Sequence, residues 1–182
     1  MSAGRDALAD AGVAELISSM IRDVRDFPEP GIVFKDITPL LADGAALAAV
    51  IGALAAGHGR IDKVAGIEAR GFILAAPVAL QLGVGFVPVR KQGKLPAARR
   101  SQTYQLEYGT ATLEVHEDAF APGDQVLIVD DVLATGGTAA ATADLIRRSG
   151  AVVAAAAVML ELGFLGGRTR LPDLDVRSLL VV

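Results

Sequence analysis

Val126-Leu127-Ile128-Val129-Asp130-Asp131-Val132-Leu133-Ala134-Thr135-Gly136-Gly137-Thr138 runs from an apolar strand into two carboxylates, a turn and a Thr-Gly-Gly-Thr helix opening. Ligands of open α/β sheets bind beyond the carboxyl ends of the strands. Glycines let a backbone approach a ligand closely, and free N–H groups at a helix start attract phosphate. The stretch lacks the Gly-Lys-Ser/Thr of a Walker A loop and is not the G-x-G-x-x-G dinucleotide fingerprint. Two carboxylates beside a phosphate cradle would repel the phosphate alone. A sugar phosphate resolves the conflict: the acids accept hydrogen bonds from vicinal hydroxyls while the loop holds the phosphate. The same acids favour positive charge on a ribose ring, as in an oxocarbenium-like transition state.

Working outward, apolar residues 13, 16, 17, 20 and 24 fall at helical spacing, predicting an amphipathic helix over 10–24 that stops at Pro28 and Pro30. Pro39 interrupts the apolar run 37–41, and a second helix is expected over 44–56. Short strands are expected at Lys63–Ile67, 84–89, 125–129 and 151–160, with helices over Gly71–Leu82 (interrupted by Pro77) and 138–149. Residues 103–115 alternate like a hairpin, and 176–182 read as an edge strand. Strands alternating with helices imply parallel βαβ units with helices on both faces of the sheet. The fold class is therefore α/β, a central, mainly parallel sheet flanked by helices. At 182 residues, with no linker or repeat, a single domain is expected.

Composition removes several function classes. Hydrophobic residues are 52% and charged residues 21%, which excludes a disordered chain. There is no cysteine, so a disulfide scaffold, a thiolate metal site and a cysteine nucleophile are all excluded. Only two histidines are present, which argues against a protein-held zinc or a histidine triad. A net charge of −4 argues against general nucleic-acid binding. No apolar run reaches the roughly 20 residues of a membrane span, and residues 1–10 do not read as a signal peptide, so a cytoplasmic protein is expected. Against that acidic background, Arg90, Lys91, Lys94, Arg99 and Arg100 put five bases into eleven positions, as suits an arm that neutralises an anionic substrate. Gly93, Pro96 and little apolar surface predict that this loop stands open until substrate closes it.

The 126–138 stretch resembles the phosphoribosyl-diphosphate (PRPP) loop of type I phosphoribosyltransferases. Three further segments resemble the adenine-specific branch of that family. Asp26-Phe27-Pro28-Glu29-Pro30-Gly31-Ile32-Val33-Phe34-Lys35-Asp36-Ile37 is similar to its purine-binding hood, and Gly66-Ile67-Glu68-Ala69-Arg70-Gly71-Phe72 to its diphosphate loop. Arg90-Lys91-Gln92-Gly93-Lys94-Leu95-Pro96, with Tyr104-Gln105-Leu106-Glu107-Tyr108-Gly109, is similar to its mobile catalytic loop. The resemblance implies a type I phosphoribosyltransferase fold with a small N-terminal hood (about 1–40, with or without the C-terminal segment). It implies transfer of the 5-phosphoribosyl group from PRPP to adenine, giving AMP and diphosphate in purine salvage. The implied cofactor is substrate-bound Mg²⁺ with no direct protein ligand assigned, and the implied assembly is a homodimer. Asp130 and Asp131 would hold the ribose, and Ala134, Thr135, Gly136, Gly137 and Thr138 the 5′-phosphate. Glu68, Ala69, Arg70, Lys91 and Lys94 would meet the diphosphate side, with a cis peptide joining Glu68 and Ala69. Phe34 would stack on adenine while the backbone of Val33 and Lys35 reads its edge, and Glu107 would serve as acid/base at the imidazole nitrogens. Two rivals stand beside this: a transferase for another 6-substituted purine, and a PRPP-sensing regulator. The hood and Glu107 segments argue against the first, and the acidic chain, without room for a DNA-binding module, argues against the second.

Overall fold

The structure, a computed structural model, describes residues 3–105 and 109–182. It divides into two compact units, Met1–Ala53 and Leu54–Val182.

The first unit opens with helix α1 (Ala3–Met20), four residues shorter at its end than the apolar spacing predicts. Strand β1 (Arg22–Arg25) begins there because it pairs antiparallel with β2 (Val33–Asp36), Arg22 opposite Asp36 and Asp23 opposite Lys35. The facing charges close two ion pairs, Arg22–Asp36 at 2.6 Å and Lys35–Asp23 at 2.7 Å. Cross-strand pairs of opposite charge favour this ribbon over another helical turn. The connection carries Phe27–Pro28 as a cis peptide. Pro39 does not break the next element but sits in the first turn of helix α2 (Thr38–Ala42), where a missing N–H removes no helical bond. Helix α3 (Gly44–Ala55) follows, with the Asp43 carboxylate accepting from the N–H groups of Ala45 and Ala46 at 2.9 Å.

The second unit is a seven-stranded sheet. Its strands are β3 (Lys63–Ile67), β4 (Gly85–Lys91), β5 (Arg99–Gln105), β6 (Thr110–His116), β7 (Gln125–Leu133), β8 (Val152–Glu161) and β9 (Val176–Val181). The order is β5-β6-β4-β3-β7-β8-β9, parallel from β4 to β9 and antiparallel in the β4-β6-β5 wing. Apolar strands such as β7, where Val126, Leu127, Ile128 and Val129 are all buried, mark a sheet covered on both faces. Helix α4 (Gly71–Leu82) packs on β3, β4 and β7, and helix α5 (Gly137–Arg148) on β5 through β8. Pro77 lies inside α4 without ending it. One helical hydrogen bond is lost there, and the buried face of Leu74, Ala75, Val78 and Ala79 keeps the helix on the sheet. Among the described residues no helix is long and apolar enough to cross a membrane.

From β3 the chain moves to β4 on one side, and from β7 to β8 on the other. The central β3–β7 pair is thus the point where the winding reverses, and the crevice at its carboxyl end is where such sheets bind ligands. Its parallel register, Gly66 opposite Val129, brings the loops after both strands to the same edge.

Candidate active site

The loop after β3 holds Glu68, Ala69 and Arg70, and its Glu68–Ala69 peptide is cis, as the resemblance implies. The Glu68 side chain turns toward the neighbouring strand β4 and the loop after it. It receives Lys94 Nζ at 2.5 Å, the Lys91 N–H at 2.9 Å and Arg90 Nε at 3.1 Å. Burial pushes this carboxyl up, but the bonds from Lys94, Lys91 and Arg90 outweigh it and hold the group down at about 2.

Strand β7 extends four residues beyond the apolar run, because Asp130, Val132 and Leu133 continue the ladder with Val158, Leu160 and Glu161 of β8. Asp130 and Asp131 therefore lie within a strand rather than in a turn, and the sheet fixes their backbone. Asp131 Oδ2 meets Arg70 Nη2 at 2.7 Å. Asp130 Oδ1 accepts the Asp131 N–H at 2.9 Å and lies so near Gly71 that a Cβ there would come within 2.6 Å of it. Any larger residue at 71 would push the helix start off the carboxylate. Burial, then the Asp131 charge, raises the Asp130 carboxyl well above the ordinary carboxylate value. Burial raises Asp131 too, and the Arg70 guanidinium opposes it. These two acids and the Glu68–Arg70 loop line an open cavity of about 460 Å³, within the size range of small-molecule sites. Lys91, Tyr104 and Thr138 lie on its wall.

Beyond Leu133 the chain turns through Ala134 and Thr135 to Gly136, whose φ of +79° is left-handed, and α5 begins at Gly137. Ala134, Thr135, Gly136 and Thr138 line a second hollow of about 80 Å³. Asp130 and Thr138 line both hollows, so Asp130 stands between the Glu68–Arg70 loop and the start of α5. That order of cation, carboxylates and N–H donors can bind a molecule anionic at both ends with hydroxyls between.

In the first unit, Val33, Phe34 and Lys35 all fall on β2. The Phe34 ring meets Phe27 edge-to-face, centroids 5.2 Å apart. Glu107 lies outside the described residues.

A model of the phosphoribosyl transferase domain matches residues 35–178. The adenine phosphoribosyltransferase of Acidothermus cellulolyticus is 62% identical over 94% of this chain and 98% of its own. The chain belongs to the adenine phosphoribosyltransferase family. The crystal structure of the Thermoanaerobacter pseudethanolicus enzyme superposes with a TM-score of 0.90 at 50% identity, covering 93% of this chain and 99% of that one. The Saccharomyces cerevisiae enzyme, crystallised with an imino-altritol bisphosphate and adenine, gives 0.88 at 38% identity over 93% and 99%. The type I phosphoribosyltransferase fold expected from the sequence is thus the fold of the chain.

The expectation of an unpinned basic loop fails. Leu95 is buried, and Glu114 of β6, only 2% exposed, gathers the loop's two ends. Its carboxylate accepts the Gly93 N–H at 2.9 Å, Arg99 Nε at 3.1 Å and Ser101 Oγ at 3.3 Å. The following hairpin is also latched, Tyr104 Oη to Thr138 Oγ1 at 3.1 Å and Arg148 Nη1 to Gln102 Oε1 at 2.7 Å. An acid between Leu113 and Val115 was the one sequence signal for Glu114. Its partners lie 13 to 21 residues away, beyond what spacing reveals.

Proposed function

We propose that the chain transfers the 5-phosphoribosyl group of PRPP to adenine, releasing AMP and diphosphate, and that it works as one phosphoribosyltransferase domain. The observation that carries this reading is the carboxylate pair beside the Glu68–Arg70 loop and the start of α5, in a chain of this family. In this reading the N–H groups and hydroxyls from Ala134 to Thr138 take the 5′-phosphate, Asp130 and Asp131 accept the ribose hydroxyls, and Arg70 and Lys91 face the diphosphate with the Glu68–Ala69 backbone. Lys94, held by Glu68 at 2.5 Å, leaves that pair to join them.

As the C1′–oxygen bond to diphosphate breaks, positive charge grows on the ribose, and the two carboxylates lower its energy. Burial raises the Asp130 and Asp131 carboxyls, and ribose hydroxyls supply donors that favour their charged forms. Adenine N9 then bonds to C1′ and gives up its proton, with Glu107 as the acid/base group. Phe34 stacks on the base, and the backbone of Val33 and Lys35 matches its N6 donor and N1 acceptor. Magnesium is taken to arrive on PRPP oxygens and water. When bound with PRPP, magnesium would supply charge neutralisation at the diphosphate. A homodimer in the cytoplasm completes the reading.

The test is incubation of the purified chain with adenine, PRPP and magnesium, following AMP and diphosphate. The reading predicts both products in equal amounts over many turnovers. Stoichiometric PRPP binding without AMP would instead identify a PRPP-binding regulator.

A further inference from the structure

Strand β8 ends on Glu161, a carboxylate only 6% exposed. Arg168, in the short 3-10 turn Gly167–Arg170, covers it, with Nε at 2.8 and 2.9 Å from the two carboxylate oxygens and Nη2 at 2.7 Å from Oε2. The same guanidinium donates to the Val176 carbonyl at 2.6 Å and to Ser178 Oγ at 3.1 Å. Ser178 in turn donates to Glu161 Oε2 at 2.5 Å. One side chain thereby fixes the turn to the end of β8 and to β9.

The turn's other side touches the loop between β7 and α5. A Cβ on Gly167 would collide with the Ala134 carbonyl oxygen and come within 3.1 Å of the Gly136 nitrogen. A Cβ on Gly136 would collide with the Gly167 carbonyl oxygen. Two bare backbones are in direct contact, and Leu162 N–H adds a bond to the Leu133 carbonyl at 2.9 Å. The N–H groups of Ala134 to Gly136 therefore take their direction from a segment whose position Arg168 sets, one residue away.

We propose that Arg168, through Glu161 and Ser178, is a positioning residue for the 5′-phosphate loop. It acts through the Gly167–Gly136 backbone contact and touches no substrate. The inference rests on the reading of Ala134–Thr138 as the 5′-phosphate site. Loss of Arg168 loosens the backing of that loop and leaves the Glu68–Arg70 loop at the other end of the cavity unaltered, so the two ends of the substrate report separately.

The experiment measures calorimetric affinities of the full chain for ribose 5-phosphate and for magnesium diphosphate. Arg168→Gln should weaken ribose 5-phosphate about tenfold and leave diphosphate within about twofold, since several charge-assisted bonds are lost at one end only. Arg168→Lys should fall between, because an ammonium keeps the charge but not the planar fork. In turnover, KM for PRPP should rise more than kcat falls. Ribose 5-phosphate binding within twofold of wild type, or an equal loss for both ligands, would overturn the proposal. Should Arg168→Gln not fold, Ser178→Ala is read by the same two ligands, with a loss of about threefold expected for ribose 5-phosphate alone. Gly136→Ala separates the premises: if it binds ribose 5-phosphate normally, the phosphate-site reading fails and the inference with it. If it does not and Arg168→Gln does, only the inference fails.

Discussion

Asp131 combines a buried carboxylate, an arginine partner and a position inside a strand. Its carboxyl and that of Asp130 are raised, so the folded chain keeps protons that the unfolded chain releases. The sign follows: these acids cost stability as pH climbs above their ordinary value of 3.8. Asp131→Asn should therefore leave Tm unchanged or raised and cut kcat/KM for PRPP about ten- to a hundredfold, the worth of one charged hydrogen bond in the transition state. Thermal melts beside steady-state kinetics check both halves, and wild-type kinetics would reduce Asp131 to a structural acid. Glu68 has the opposite sign. Its carboxyl is lowered from 4.5 to about 2, so its contribution is present above pH 4.5 and lost as pH falls toward 2. The Tm advantage of wild type over Glu68→Gln should shrink steadily on acidification through that window. A difference that grows toward low pH would contradict the Lys94–Glu68 clamp.

At the scale of elements, the basic loop and its hairpin depart furthest from the sequence reading. Counting Gly93 and Pro96 against a single Leu95 suggests freedom, yet Glu114 ties Gly93, Arg99 and Ser101 into one cluster. Arg99 and Arg100, which no motif explains, divide here: Arg99 pairs with Glu114 at 3.1 Å, and nothing in the structure explains Arg100. Limited trypsin digestion tests this anchoring, since Lys91, Lys94, Arg99 and Arg100 are all cleavage sites. Glu114→Ala should speed cutting within 91–101 about tenfold, because losing a buried acceptor lowers the free energy of local opening by roughly 1–3 kcal/mol. Unchanged cleavage would show that Leu95 and Lys94 hold the loop without it. Magnesium and PRPP should slow cleavage in both proteins. Elements with local signals were legible: the apolar run of β7, the Thr-Gly-Gly-Thr opening of α5 and the alternation in β6 and the end of β5, whose start at Arg99 falls in the stretch read as a loop. The end of α1 was not, because the ion pairs that convert residues 22–25 to a strand come from β2, more than ten residues on.

For the molecule as a whole, the order of strands was beyond the sequence, although its parallel character was not. Hydrophobic period distinguishes strand from helix, but says nothing about β3 and β7 becoming central neighbours. That adjacency brings Glu68–Arg70 and Asp130–Asp131 to one crevice. It was inferable only through the family resemblance of segments about sixty residues apart. The cavity lining brings the bases Arg70 and Lys91 together with the acids Glu68, Asp130 and Asp131. In the proposed function the base is recognised by Val33, Phe34 and Lys35 of β2, and the central claim is that this recognition is for adenine. Adenine offers an N6 donor and an N1 acceptor, and hypoxanthine reverses both, so a backbone carbonyl and N–H matched to one leave the other unpaired. The most direct measurement is kcat/KM for adenine and for hypoxanthine under saturating PRPP and magnesium. We predict a ratio of about 10⁴ in favour of adenine; comparable values for the two bases would contradict the account.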